Sequence, residues 1–183
     1  MHRRAVASDL GAVAATALAW IAAFHLNDWL FARAELSSFV SLIFLPAGVR
    51  VLSVLLLGWP AVLGLFVGVV IVAIPNWHLP AAFVPAAISA MAPAVAVTVA
   101  TRSMRLRDDL AGITPRQMAI ISFAEAALNA LPSNLFFWAE GRTVSPWLDV
   151  WPMFLGDLLG TLLLLYCAAV LLRLFLRFQR GTT

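Results

Sequence analysis

Leu45-Pro46-Ala47-Gly48-Val49-Arg50, continued by the largely apolar run Val51 to Leu57, places a permanent charge inside a stretch otherwise fit for hydrocarbon. A guanidinium does not release its proton at physiological pH. Within a bilayer it must snorkel to an interface or meet a carboxylate. A second isolated charge stands in Phe154-Leu155-Gly156-Asp157-Leu158-Leu159-Gly160. Two such charges, each surrounded by apolar neighbours, imply a helical membrane protein with a polar interior.

The rest of the chain agrees. Of 183 residues, 63% are hydrophobic and 11% charged, with mean hydropathy +0.96. A soluble domain covers itself with about 25% charged residues. The composition therefore predicts an all-α, polytopic integral membrane protein, with residues 1–183 as a single transmembrane domain. All 12 cationic residues are arginine, a usage associated with GC-rich bacterial genomes. The pI near 10.4 does not indicate nucleic acid, because the arginines are scattered at helix ends, where topology explains them. Cys167 is the sole cysteine, which excludes an internal disulfide and a cysteine-based metal cluster.

Apolar segments of spanning length fall near 10–31, 36–57, 59–75, 80–100, 116–138 and 152–175. Each approaches the ~20 residues that a ~30 Å hydrocarbon core requires. The first follows Arg3 and Arg4 without a clear cleavage site and reads as a retained signal anchor. The third, between Trp59-Pro60 and Pro75-Asn76, is the shortest. Pro80, Pro85 and Pro93 predict a kinked fourth helix packed against neighbours that satisfy its freed carbonyls. Thr114-Pro115-Arg116-Gln117 is a capping-box start for the fifth. Residues 101–114 are expected to form a short helix on the cytoplasmic surface, and Ser145-Pro146-Trp147 to begin one flat on the outer surface.

With both termini cytoplasmic, nine arginines (Arg3, Arg4, Arg102, Arg105, Arg107, Arg116, Arg173, Arg177, Arg180) lie inside and two, Arg33 and Arg142, outside. This positive-inside bias predicts a bacterial inner-membrane location. Trp29, Trp77, Trp138, Trp147 and Trp151 then form an outer interfacial belt, with His78 beside it.

Depth counting pairs the polar residues. Arg50 lies about 7 residues from the inner end of helix two, and Glu125 about 9 from the start of helix five, so they form an inner ion pair. Asp157, about 5 residues below the outer end of helix six, matches Asn134 and, less closely, Asn129 and His25 in an outer pocket. Glu125 and Asn129 share a helix face. Arg50, Glu125, Asn129, Asn134 and Asp157 are thus the candidate ligand- or partner-binding residues. The competing readings are a snorkelling Arg50, a purely structural Asp157, and a solvated helix end for His25, Asn27 and Asp28. Gly11, Ala15, Ala19 and Ala23 recur every four residues on helix one; internal helix packing is their expected use, a partner subunit the second.

Catalytic signatures are missing from the sequence. It holds no phosphate-cradling loop, histidine metal motif or nucleophile elbow. Gly156-Asp157 matches only part of the Gly-x-Gly-Asp pattern of intramembrane aspartyl proteases, which would need glycine at Phe154. No enzymatic role, cofactor or metal is expected.

Pro46-Ala47-Gly48, the leucine-rich run ending in Gly58-Trp59, and Gly156-Asp157-Leu158-Leu159-Gly160 together resemble the first type of membrane-associated sensor domain. That family is the multi-span sensory part of bacterial histidine kinases and diguanylate cyclases. The resemblance implies signal reception in the membrane, with Pro46, Ala47, Gly48, Gly156, Asp157 and Gly160 as motif residues. Two departures stand out: the family has about eight spans and an attached output domain, whereas this chain is expected to act on its own, either read by a separate partner or with another role on the same scaffold. The layout is also similar to substrate-binding S-components of energy-coupling-factor transporters. Three functions follow as expectations: a sensor-like module binding a small molecule or a membrane-protein partner, a transport component, and an accessory subunit or assembly factor.

Overall fold

A computed structural model describes residues 2–31, 35–37, 40–41, 43–104 and 113–181, with side-chain surroundings for 8–31, 43–104, 113–168, 170 and 171. The surface-helix expectation for residues 101–114 falls largely outside the described residues. Among the described residues six helices make up the fold: α1 (His2–Phe31), α2 (Leu45–Leu57), α3 (Trp59–Ala73), α4 (Leu79–Ser103), α5 (Pro115–Ala139) and α6 (Pro146–Gly181). A short antiparallel pair, β1 (Glu35–Ser37) with β2 (Val40–Ser41), joins α1 to α2.

Four helices, α1, α4, α5 and α6, are long and apolar enough to cross a membrane. Helices α2 and α3, with 13 and 15 residues, reach only about 20 and 22 Å at 1.5 Å per residue. Of the expected second span, 36–57, the described helix covers only Leu45–Leu57; residues 35–37 and 40–41 are strand and 43–44 irregular. Hydropathy alone cannot distinguish these states, because an apolar segment buried in protein reads like one in lipid. Large apolar side chains cover the outward surface, among them Leu18, Leu63, Ile71, Val99, Phe123 and Leu163, as contact with hydrocarbon allows.

The shortest helix is the central one. Helix α2 packs against all five others, while α1, α3, α4, α5 and α6 follow one another around it. Its first turns are buried at Leu45, Pro46, Ala47, Gly48 and Arg50, whereas Leu56 and Leu57 emerge at the far end. Gly58, at φ 65°, turns the chain from α2 into α3. This is the left-handed region that glycine enters without a Cβ penalty.

Helices α1 and α3 meet through glycines. A Cβ on Gly64 would lie 2.7 Å from Thr16 Cβ, and one on Gly68 would lie 3.2 Å from the Ala17 carbonyl oxygen. Gly64-Leu65-Phe66-Val67-Gly68 is a small-xxx-small sequence, which lets two backbones approach where van der Waals packing drives association. The four-residue period on α1 points instead to Gly11, Ala15, Ala19 and Ala23 for this role. That expectation is corrected: Gly11, Ala15 and Ala19 are exposed, Ala23 is half-buried, and α1 packs inward through Thr16, Ala17 and Trp20. Around Trp20, Leu65, Val69, Ala86 and Ala90 form the main apolar core.

Candidate functional site

The Pro46-Ala47-Gly48 and Gly156-to-Gly160 motifs are built against each other. The backbone N–H of Phe44 donates to the Gly156 carbonyl at 3.0 Å. Gly160 lies directly under the Phe44 backbone, leaving no room for a Cβ, and a Cβ on Gly48 would stand 2.6 Å from Leu164 Cβ. Pro46 in the first turn of α2 supplies a pre-set φ and no donor. The Leu45 N–H is taken by Asn27 Oδ1 of α1 at 2.8 Å. The helix therefore starts inside the bundle with its leading backbone groups satisfied by neighbouring helices, the condition for irregular backbone at membrane depth.

This start brings Arg50 to both carboxylates at once. Arg50 Nη2 lies 2.9 Å from Glu125 Oε1 and 2.9 Å from Asp157 Oδ2. Arg50 Nη1 donates to Ser89 Oγ of α4 at 3.1 Å, and Asn129 Nδ2 donates to Asp157 Oδ2 at 2.7 Å. All of these side chains are buried; Arg50 is 1% exposed and Glu125 fully buried, so Arg50 does not snorkel. The expected Arg50–Glu125 pair is present, while the separate outer pocket around Asp157 is not. Instead, one cluster draws on α2, α4, α5 and α6.

Why the depths merge is visible in α6. It begins at Pro146, not near residue 152, and runs through Pro152 without interruption. Asp157 therefore sits 11 residues into the helix, about 16 Å from its start. The outer surface helix expected at Ser145-Pro146-Trp147 is the first turn of α6 itself.

Other placements differ as well. Asn134 is buried but does not join Asp157; its Nδ2 donates to the Ala130 carbonyl at 2.8 Å and to Met153 Sδ at 3.2 Å. Five residues on from Asn129, it has rotated to another helix face. His25 is exposed and edge-on to Phe24, also away from Asp157. Asn27, expected at a solvated helix end, is buried and caps α2. Trp77, expected in the interfacial belt, is buried against Phe136 and Phe137 with Arg142 4.0 Å above its ring. Trp29, Trp138, Trp147 and Trp151 are exposed, and so is His78.

A cavity of about 220 Å³ adjoins the cluster. Arg50, Ser89 and Asn129 line it from the cluster side, and Asp28, Asn76 and Trp77 from the ends of α1 and α3. Aromatic rings of Trp20, Phe24, Phe44 and Phe137 complete its wall. Ser89, Trp20 and Phe44 carry no sequence signal, being ordinary residues of apolar helices or loops.

No protein-family model, curated protein or solved structure matches this chain.

Proposed function

We propose that this protein is a non-enzymatic bacterial inner-membrane module of sensor type, with cytoplasmic termini, that binds a small molecule in the cavity beside Arg50. The observation supporting this reading is the lining of that cavity, where buried polar groups of the cluster and an aromatic wall face the same space. Small-molecule sites combine apolar walls with a few fixed polar groups in this way. At about 220 Å³ the space is below the ~300–1,000 Å³ of drug-sized sites, so its occupant is of small-metabolite size. The buried ion cluster touches four helices, and a ligand there has the means to alter their packing, as signal reception requires.

Native mass spectrometry of the protein purified in mild detergent tests this reading. A small molecule should accompany the wild type and be absent from Ser133→Leu, which narrows the cavity. A wild-type preparation that neither carries nor takes up any small molecule would count against it.

A second reading rests on α1. A Cβ added at Gly11 would meet nothing within 4 Å, and Ala15 and Ala19 are exposed beside it, so this face is available to a partner helix. In that case the protein is an accessory or transport subunit. Gly11→Leu should then release a co-purifying membrane protein while leaving the bundle intact.

A further inference from the structure

The buried cluster contains one guanidinium and two carboxylates. With every group ionised it carries one surplus negative charge, in surroundings where an uncompensated charge is costly. Balance requires one further positive charge, either a proton or a cation. Four elements bring titratable groups to the cluster and cavity. Helix α1 contributes Asp28, α2 Arg50, α5 Glu125 and α6 Asp157, while the α3 and α4 residues lining the cavity are not titratable. Arg142, in the loop after α5, lies on Trp77 at the rim.

Open hydrogen-bonding positions lie within the cluster, and Asn129 brings one of them to the cavity wall. Asn129 commits Nδ2 to Asp157, which fixes the orientation of the amide. Its Oδ1 is buried and has no hydrogen-bond partner, and neither has Glu125 Oε2. Both are acceptors. Open donors are present as well, at Arg50 Nε and Trp20 Nε1, but an anion would add to a cluster whose charge surplus is already negative; Arg50 Nη1 and Nη2 are held by Ser89 and the two carboxylates, and the first N–H groups of α2 are satisfied by Asn27 and the Phe44 carbonyl. Aromatic residues lining the cavity suit an apolar body or an organic cation.

Building on the ligand-binding reading above, we infer that the cavity takes a small organic ammonium ion with an aromatic or apolar body, in exchange for a proton. The ammonium enters with its charge, donates to Asn129 Oδ1 and neutralises the surplus carboxylate. One proton leaves the Glu125–Asp157 pair for water, so charge is conserved. Binding weakens as the pH falls, because protons then compete for the same carboxylates, while an aliphatic amine stays protonated up to about pH 10.

The test uses the full chain in detergent with Cys167→Ala and Ser133→Cys, so that the one thiol lies in the cavity wall. Methyl methanethiosulfonate, a small neutral reagent, should modify it. 2-Phenylethylamine should slow that reaction, and its uncharged analogue 2-phenylethanol and the anion 3-phenylpropionate should need concentrations at least about tenfold higher, the equivalent of one modest charge interaction. Protection by the amine should fall at lower pH and be lost when Asp157→Asn is added. A reactive thiol protected equally by all three compounds, or by none, overturns the ammonium assignment and leaves the cavity reading standing. An unreactive thiol in a folded protein overturns both.

Discussion

Helices α2 and α5 each begin with a proline in the first turn, yet they are held in opposite ways. The start of α5 is self-contained. Thr114 Oγ1 accepts from the Gln117 N–H at 3.3 Å, and the Thr114 N–H donates to Gln117 Oε1 at 2.8 Å. The start of α2 has no side-chain cap of its own and depends on Asn27 of α1 and the Gly156 carbonyl of α6. A local cap forms wherever the sequence goes. A tertiary cap exists only once two other helices are in place, so the position of α2, and with it Arg50, is a property of the assembled bundle.

The sharpest way to break the assembled side of this contrast is through the charge that α2 carries. Arg50→Ala leaves two buried carboxylates 2.9 Å from where their common partner stood. Orphaning a buried ion costs roughly 3–5 kcal/mol in soluble interiors, and less where water or snorkelling relieves it. Thermal unfolding in detergent should show a loss at the upper end for Arg50→Ala. Glu125→Gln should cost much less, because one guanidinium then faces one carboxylate. Equal losses from the two variants would contradict the charge count.

Next in size comes the seam between α2 and α6. Gly160→Val drives a side chain into the Phe44 backbone, which cannot move aside without losing its bond to Gly156. Overpacking of this kind costs about 1–3 kcal/mol, and more against a backbone. Gly11→Val, with open space around it, should change the melting temperature little. If both variants melt like the wild type, the contact of Phe44 with Gly160 is not tight.

The same contrast explains what can be read in the sequence. Apolar runs reveal the helices, and Thr114, Pro115 and Gln117 reveal a helix start, because those signals are local. Depth counting pairs Arg50 with Glu125 correctly, because each lies at a fixed distance along its own helix. It misplaces Asp157, whose depth depends on where α6 begins, and Pro146 and Pro152 are both plausible starts. The irregular 43–44 segment is invisible, because its polar groups are satisfied by Asn27 and Gly156, residues remote in sequence. Ser89 meets Arg50 only through the packing of α4 on α2. Gly64 and Gly68 are legible as a small-xxx-small pair; the periodic alanines of α1 mask them.

Asn27→Ala isolates the tertiary cap. It orphans the Leu45 N–H in a buried setting, at a cost of about 1–3 kcal/mol, and leaves the cluster charges untouched. Hydrogen exchange of the Leu45 amide should quicken selectively. An unchanged amide with unchanged stability would mean that α2 is positioned by packing alone.

The smallest effect belongs to the self-contained start. Thr114→Ala removes the side-chain acceptor for the Gln117 N–H, but that site is exposed and water can take its place. Capping losses of this kind are typically about 1 kcal/mol, at the lower end when solvent reaches the freed donor. The loss should be confined to the first turn of α5. Glu125 lies 10 residues beyond Pro115, more than two helical turns away, so Arg50, Glu125 and Asp157 should keep their contacts. Exchange should therefore quicken near Met118 in Thr114→Ala and stay unchanged around Glu125. If fraying reached Glu125, α5 would owe its register to its own cap, and the distinction between the two helix starts would dissolve.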